Sequence, residues 1–274
     1  MKSISLIIII LSSYSIRAQE VLNPSGYGAW GSVEEQLSST DKNELIEQLG
    51  ISSPWKTGND ESIDLNLFHV LDINNDGLLD VAYSGMYAEG TATFFYLNKG
   101  SQYEQSDMIP GGIIRIERLP LSNFLEIKTH LRPCCAGSVH THSIYLVHSK
   151  NNGIKITNLN NVDYYEDTLE PNQQIKKTRF VTTRPEYKLR ATPEIDSELK
   201  NWREIIDGNT VAIYPKGSRG LAIAESTDET GRVWWFVIMD NNIKPIKSLI
   251  YYNDDPKGSQ SMGWMSSRFV DKVD

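Results

Sequence analysis

The sequence predicts a mainly β protein organised as two modules. Three observations carry this. Short runs of β-branched and aromatic residues recur through most of the chain, separated by Asn, Gly and Pro. Helical spacing of apolar residues is confined to two short stretches. Charge is divided unevenly, with 21 acidic against 11 basic residues from Gln19 to Lys177, and 14 of each from Thr178 to Asp274. The 274 residues are 39% hydrophobic and 23% charged, a balance that suits a soluble globular protein and excludes a disordered tail or a disulfide-dense miniature. The net charge of −8 argues against a nucleic-acid-binding surface.

The chain opens like an export signal. Met1-Lys2 supplies a positive start, Ile4 to Leu11 is an apolar run broken only by Ser5, and Ser12 to Ala18 is small and polar. The run is well short of the roughly 20 residues that span a membrane, and no later stretch is apolar enough to do so. Cleavage is expected at Ala18–Gln19, which makes residues 1–18 a signal peptide and the mature chain periplasmic, surface-located or secreted. The remaining boundaries are an acidic β module at 19–168, a linker at 169–177 that begins Leu169-Glu170-Pro171-Asn172, and a second β module at 178–274.

Residues 19–32 are rich in Gly, Ser and Asn and read as a lead-in. Asp41 to Leu49 reads as a helix, with Thr40 as its cap, Leu45 and Leu49 on one face, and Gly50 as the stop. From Leu65 the pattern turns to β. Strands are expected around Leu67 to Leu71, Val81 to Tyr83, Thr93 to Leu97, Ile113 to Ile116, Phe124 to Thr129, Ser143 to Val147 and Ile154 to Thr157. In the second module they are expected at Phe180 to Thr183, Thr210 to Tyr214, Leu221 to Ala224, Val233 to Met239 and Trp264 to Val270. Ile195, Leu199, Trp202 and Ile206 have the spacing of a short helix.

The sharpest local signal is Asp72-Ile73-Asn74-Asn75-Asp76-Gly77-Leu78-Leu79-Asp80. Oxygen side chains stand at positions 1, 3, 5 and 9, and glycine at 6 permits a sharp turn. Such alternation can aim several oxygens at one hard cation; Ca²⁺ takes about six to eight. The expected ligands are Asp72, Asn74, Asp76, the Leu78 carbonyl and Asp80. Position 12 is Tyr83 where an EF-hand has a bidentate Glu, and the flanks read as strands, so this is not an EF-hand. With its outgoing Val81-Ala82, the loop resembles the calcium loop of FG-GAP/VCBS repeats. Phe95-Tyr96-Leu97-Asn98-Lys99-Gly100 is similar to the later strand and turn of the same repeat. The resemblance covers about Leu67 to Tyr103 and implies a structural Ca²⁺ holding a hairpin. Only one such loop occurs, whereas a closed propeller needs at least about four blades. The resemblance therefore implies a single blade within a smaller sheet, or a loop grafted onto another β fold.

Cys134 and Cys135 are the only cysteines, and they are adjacent. An exported protein favours their oxidation. Consecutive Cα atoms lie only about 3.8 Å apart, below the roughly 4.4–6.8 Å of ordinary bridges, so a vicinal disulfide would be strained. His130, His140, His142 and His148 surround the pair, and on a strand the last three share a face. Four readings stand open: a vicinal disulfide, free or intermolecular thiols, a transition-metal site, and a Cys–His nucleophile.

In the second module, Tyr187-Lys188-Leu189-Arg190-Ala191-Thr192-Pro193, Tyr214-Pro215-Lys216-Gly217, Gly231-Arg232-Val233-Trp234-Trp235-Phe236-Val237 and Gly263-Trp264-Met265-Ser266 follow one another. Together they resemble the bacterial SH3 domain over about Val181 to Val270. The resemblance implies a small β-barrel that binds peptidoglycan peptides or other proteins and is not catalytic. Residues 194–208 and 240–262 enlarge two of its loops. Trp234 and Trp235 point to opposite faces of one strand, so one can fill the core while the other is exposed. Trp234, Tyr214, Tyr251 and Tyr252 are the expected ligand-binding aromatics.

The expectation is thus an exported, non-catalytic binding protein with a Ca²⁺-steadied β module and an SH3-like barrel. Its partner would be peptidoglycan or an envelope or extracellular protein. An envelope assembly component is the alternative reading. A wall hydrolase is disfavoured, since His-Glu-x-x-His, Gly-x-Ser-x-Gly and Asp-Cys-Ser-Gly are all absent.

Overall fold

The computed structural model describes residues 38–49, 65–87, 90–120, 122–132, 138–151, 153–198, 206–241, 243–250 and 259–273. The expected signal peptide, the lead-in at 19–32, Cys134, Cys135, Tyr251 and Tyr252 lie outside the described residues. The fold is mainly β, as expected, with one short α-helix among the described residues. Among the described residues, no helix is long and apolar enough to cross a membrane. Chain contacts divide the protein into two compact units, one holding Gly26–Asp163 and the other Tyr164–Asp274.

The first unit begins with α1 (Ser39–Leu49), a helix of eleven residues. Its cap is Ser38, two residues before the expected Thr40. The Ser38 hydroxyl accepts from Asp41 N at 3.2 Å and donates to Asp41 Oδ2 at 2.7 Å, closing a capping box with a short acid. Eight strands follow: β1 (Phe68–Leu71), β2 (Asp80–Tyr87), β3 (Gly90–Asn98), β4 (Tyr103–Pro110), β5 (Gly112–Arg118), β6 (Leu125–Leu131), β7 (Val139–Lys150) and β8 (Gly153–Tyr165). Strands β1 to β4 form an antiparallel meander. Strands β5, β6 and β7 form a second one, with β8 beside β7.

The two sheets pack face to face. Leu71, Ile73, Ala82, Phe95 and Leu97 meet Ile113, Ile116, Leu125, Ile127 and Val147 in one buried cluster. The other face of the first sheet carries Phe68, Val70, Val81, Tyr83 and Phe94, and α1 covers it with Leu45, Ile46 and Leu49. The result is three layers, helix on sheet on sheet. A ladder with one buried face shows alternation, but β1 to β3 are buried on both faces and read as near-continuous apolar runs. Strand β4, Tyr103-Glu104-Gln105-Ser106-Asp107-Met108-Ile109-Pro110, escaped the sequence reading. It is a polar edge strand, and among its residues only Ile109 is buried.

The second unit contains β9 (Gln174–Thr182), β10 (Tyr187–Arg190), β11 (Thr210–Tyr214), β12 (Arg219–Thr227), β13 (Val233–Met239), β14 (Lys247–Ser248), β15 (Ser259–Ser266) and β16 (Val270–Lys272). Hydrogen bonding runs through β16–β9–β12–β13–β15–β10–β11–β14, and the two ends do not close on each other. The core is aromatic. Trp234, Trp264, Tyr214, Phe180 and Phe236 are all 1% exposed or less, and Phe236 meets Trp264 edge-on at 5.0 Å. Gly263 lets β10 approach β15, because a Cβ there would lie 2.8 Å from the Arg190 carbonyl oxygen.

Three expectations about this unit need revision. The stretch at 169–177 is tied into the unit rather than left as a bare connector. Leu169 N donates to the Ala191 carbonyl at 2.8 Å, the Trp264 indole N–H donates to the Leu169 carbonyl at 2.7 Å, and Gln174 already starts β9. The expected final strand, Trp264 to Val270, is broken by a 3-10 turn at Ser267–Phe269. The helix expected across Ile195 to Ile206 does not include residues 195–198 or Ile206; residues 199–205 lie outside the described set.

Candidate cation loop and arginine-lined cavity

The acidic loop joins β1 to β2. Gly77 sits at φ +87°, a backbone region that favours glycine, and Asn75 is also left-handed at φ 60°. Asp72, Asn74 and Asp76 each accept from a backbone N–H of the same loop. Asp72 takes Asp76 N at 3.1 Å and Gly77 N at 3.0 Å. Asn74 Oδ1 takes Asp76 N at 3.0 Å, and Asp76 Oδ1 takes Leu78 N at 2.9 Å. The bonds to Asn74 and Asp76 are Asx turns, with the short side chains mimicking the next peptide. The Asn74 amide also donates to Asp76 Oδ2 at 2.8 Å. From β5, Arg118 Nη2 donates to the Asp72 carbonyl at 2.6 Å and ties the loop to the second sheet.

Asp80 has a different role from the other three. It is 0% exposed, and one carboxylate oxygen accepts from Ile73 N at 2.9 Å and Asn74 N at 3.4 Å. The other oxygen accepts from Asn98 N at 2.8 Å, at the end of β3. One side chain thus fastens the β1–β2 turn to the β3–β4 turn. Burial pushes its carboxyl up to about 6, against the lowering effect of the three N–H donors; the Asp76 charge adds to the rise. Leu78, whose carbonyl was expected to ligate, has a half-exposed side chain. Among the described residues, no group of three or more His, Cys, Asp or Glu is arranged to hold a metal ion as it stands.

The histidines separate into two groups. His130 on β6 lies directly across from His142 on β7, their rings stacked at 4.9 Å. His130 Nε2 and His140 Nδ1 share a hydrogen bond at 2.9 Å. His148 is on the same strand as His140 and His142 but packs against Phe124 instead. Burial lowers His142 to about 3 and His130 to about 4, and the neighbouring imidazoles push the same way. Both are therefore neutral at pH 7.

Of the four aromatics expected to bind a ligand, Trp234 and Tyr214 are buried at 1% exposure, which makes them core residues rather than an exposed rim. Trp234 and Trp235 do face opposite sides of β13, yet both are covered. The Trp234 indole N–H donates to Asp228 at 2.8 Å in the β12–β13 turn. Trp235 meets Phe180 at 6.1 Å and lies 5.7 Å from the Lys272 ammonium.

One concavity of this unit lies beside Trp234, with a volume of about 250 Å³; a larger one of about 510 Å³ shares Ile195 and Arg232 with it and is bordered by Glu194, Asp228 and Glu229. Arg184, Lys188, Arg190 and Arg232 border the smaller one, and Glu186 is its one acid. Phe269, Tyr187, Ile195 and Pro185 supply apolar surface. Arg184 stacks over the Phe269 ring at 3.4 Å. Arg190 is buried and donates to Asn209 Oδ1 at 2.5 Å. Arg232 lies 5.6 Å from the Trp234 ring, and its buried Nε has no hydrogen-bond partner among the described residues. The Tyr187 hydroxyl donates to the Ser266 carbonyl; burial raises its pKa, and that bond, the Phe269 backbone and the charges of Arg232 and Arg184 oppose the rise. Sequence reading missed this cluster. Arg190 and Arg232 stood inside the quoted motifs, but nothing in their spacing places them around one cavity with Arg184. No protein-family model, curated protein or solved structure matches the chain.

Proposed function

We propose that this is an exported, non-catalytic binding protein. A β module steadied by Ca²⁺ at Asp72–Asp80 precedes an SH3-like barrel that contacts peptidoglycan or an envelope protein. The observation that carries the binding reading is the concavity in the second unit, walled by Phe269, Trp234 and Tyr187 and bordered by polar groups. The Ca²⁺ reading is supported by Asp72, Asn74 and Asp76 sharing one tight loop, next to an Asp80 whose carboxyl is raised by burial, with the Asp76 charge adding to the rise. Trp234 acts as the floor of the binding surface rather than as an exposed contact.

The test is retention of the full mature chain on purified sacculi, with Ca²⁺ and with chelator. Wild-type protein is expected to sediment with sacculi and release no soluble fragments, and Phe269→Ala is expected to remain in the supernatant. Absence of retention in both conditions overturns wall binding. Ca²⁺ is expected to raise the unfolding temperature of wild type and to leave Asp76→Ala unchanged; an equal rise in both would remove the loop as the site.

A further inference from the structure

The recess beside Trp234 in the second unit is lined by more cations than acids. The module from Thr178 onward carries 14 basic and 14 acidic residues, yet the lining of this one concavity has four cations and one acid. Among the described residues, the ion pairs are Arg115–Glu117, Lys128–Glu126 and Arg179–Asp240, and none of them involves a cavity residue. Arg184 is held by an aromatic ring, Arg190 by a neutral amide, and Arg232 by a backbone N–H turn and a distant indole. Guanidinium groups that outnumber the acids around them repel one another, and burial strengthens the repulsion. Arg190 shows it: burial first, then the Arg232 charge, hold its pKa below the usual value, against the opposing effect of Asp196 and Tyr187. The buried Nε of Arg232 adds a donor with no acceptor. Groups so placed are complementary to an incoming anion, which would end the repulsion and fill the vacant donor together.

We infer that this cavity binds the free carboxylate end of a peptide, clasped by Arg184, Arg190 and Arg232, with the terminal side chain against Phe269 and Ile195. The inference rests on the binding reading above and names the ligand class of the same surface. Three features favour a carboxylate-ended peptide over a phosphate polymer. Arginine forks match a planar carboxylate by paired N–H donors. Apolar surface adjoins the cations, which suits a side chain next to the charged end. The cations cluster around a recess of about 250 Å³, and the larger recess that shares Arg232 with it is bordered by Glu194, Asp228 and Glu229, whereas a polyanion would call for an extended cationic strip. Glu186 offers an acceptor for the peptide's N–H groups.

The experiment is calorimetric titration of the full mature chain with N-acetyl-Ala-Ala, its C-terminal amide, and inorganic phosphate, run beside the sacculus assay. The acid peptide is expected to bind, to weaken with added salt, and to lose about tenfold or more in affinity in Arg232→Gln and Arg184→Gln. Arg232→Lys keeps the charge without the fork and is expected to fall between. Arg184 is exposed, so its variant tests the site even if the Arg232 variants unfold. Amide binding as tight as the acid overturns the inference, as does saturable phosphate binding that depends on Arg232 while the acid peptide is inert. Retention on sacculi with no binding of the acid peptide overturns this inference and leaves wall binding standing. Binding of the acid peptide without retention does the reverse.

Discussion

The acidic loop and the arginine cavity solve opposite problems of like charge. The loop gathers Asp72, Asp76 and Asp80 within nine residues and gives every carboxylate backbone N–H donors from its own turn or its neighbour. The cavity gathers Arg184, Arg190 and Arg232 from three separate segments, with Glu186 as the one acid in its lining and no ion pair to any of the three guanidinium groups among the described residues. In the first arrangement the carboxylates are met by N–H donors of the fold itself, and any cation would add to bonds already made. In the second, the buried Arg232 Nε has no acceptor among the described residues, and the proposed peptide carboxylate is what would supply one. How far a cluster satisfies its own polar groups is therefore more informative than its charge density.

The contrast can be broken in four places. The largest effect is expected from Asp80→Ala, which strands three N–H groups around a buried position. A loss of about 3–5 kcal/mol in denaturant unfolding is expected even with chelator present. A loss under about 1 kcal/mol would mean that the carboxylate does not fasten the two turns.

Acid comes next. His130 and His142 have folded-state pKa values near 4 and 3, below an unfolded value of 6.5. Between those limits the unfolded chain binds more protons, so stability falls as the pH drops from 6.5 towards 4. His130 alone contributes on the order of 3 kcal/mol across that window. Unfolding measured at pH 7.5 and pH 5 should show the fall, and His142→Phe should flatten its slope. A stability that rises towards pH 5 would refute the buried stacking.

Smaller still, Ser38→Ala should lower stability by about 1 kcal/mol through the lost cap, whereas Thr40→Ala should lower it less. The smallest effect, and the one of opposite sign, is expected in the cavity. Arg232→Gln should shift stability by less than about 0.5 kcal/mol, upward at low salt, because it relieves Arg190. A large destabilisation there would make the cluster structural and erase the contrast.

What the sequence revealed follows the same division. The Asp72–Asp80 loop was legible because most of its partners lie within a few residues, and spacing reports such geometry directly; the bonds from Asn98 and Arg118 were not visible in that spacing. Strands β11 and β13 were legible to the residue, being short apolar runs bounded by turns. Strand β4 was not, since an edge strand in water needs no alternation. The pairing of Trp234 with Asp228 and of Trp235 with Phe180 was hidden for another reason. Sequence shows that two rings face opposite ways but not that both faces are covered. The cavity was least visible, because Arg184 and Arg232 meet only after the chain has run through three strands.

The bond from the Trp264 indole to the Leu169 carbonyl has a practical consequence. The last long strand is clasped to residues that look, from composition, like a tether. A protease cut or a cloning boundary placed at Thr178 would sever the acceptor of that indole, the amide of Leu169 that serves Ala191, and the first four residues of β9. The excised fragment would begin in mid-strand, with a buried tryptophan N–H exposed to nothing. Dissection of this protein should start at Tyr164, and limited proteolysis of the intact chain should spare the stretch from 169 to 177 despite its polar, proline-containing sequence.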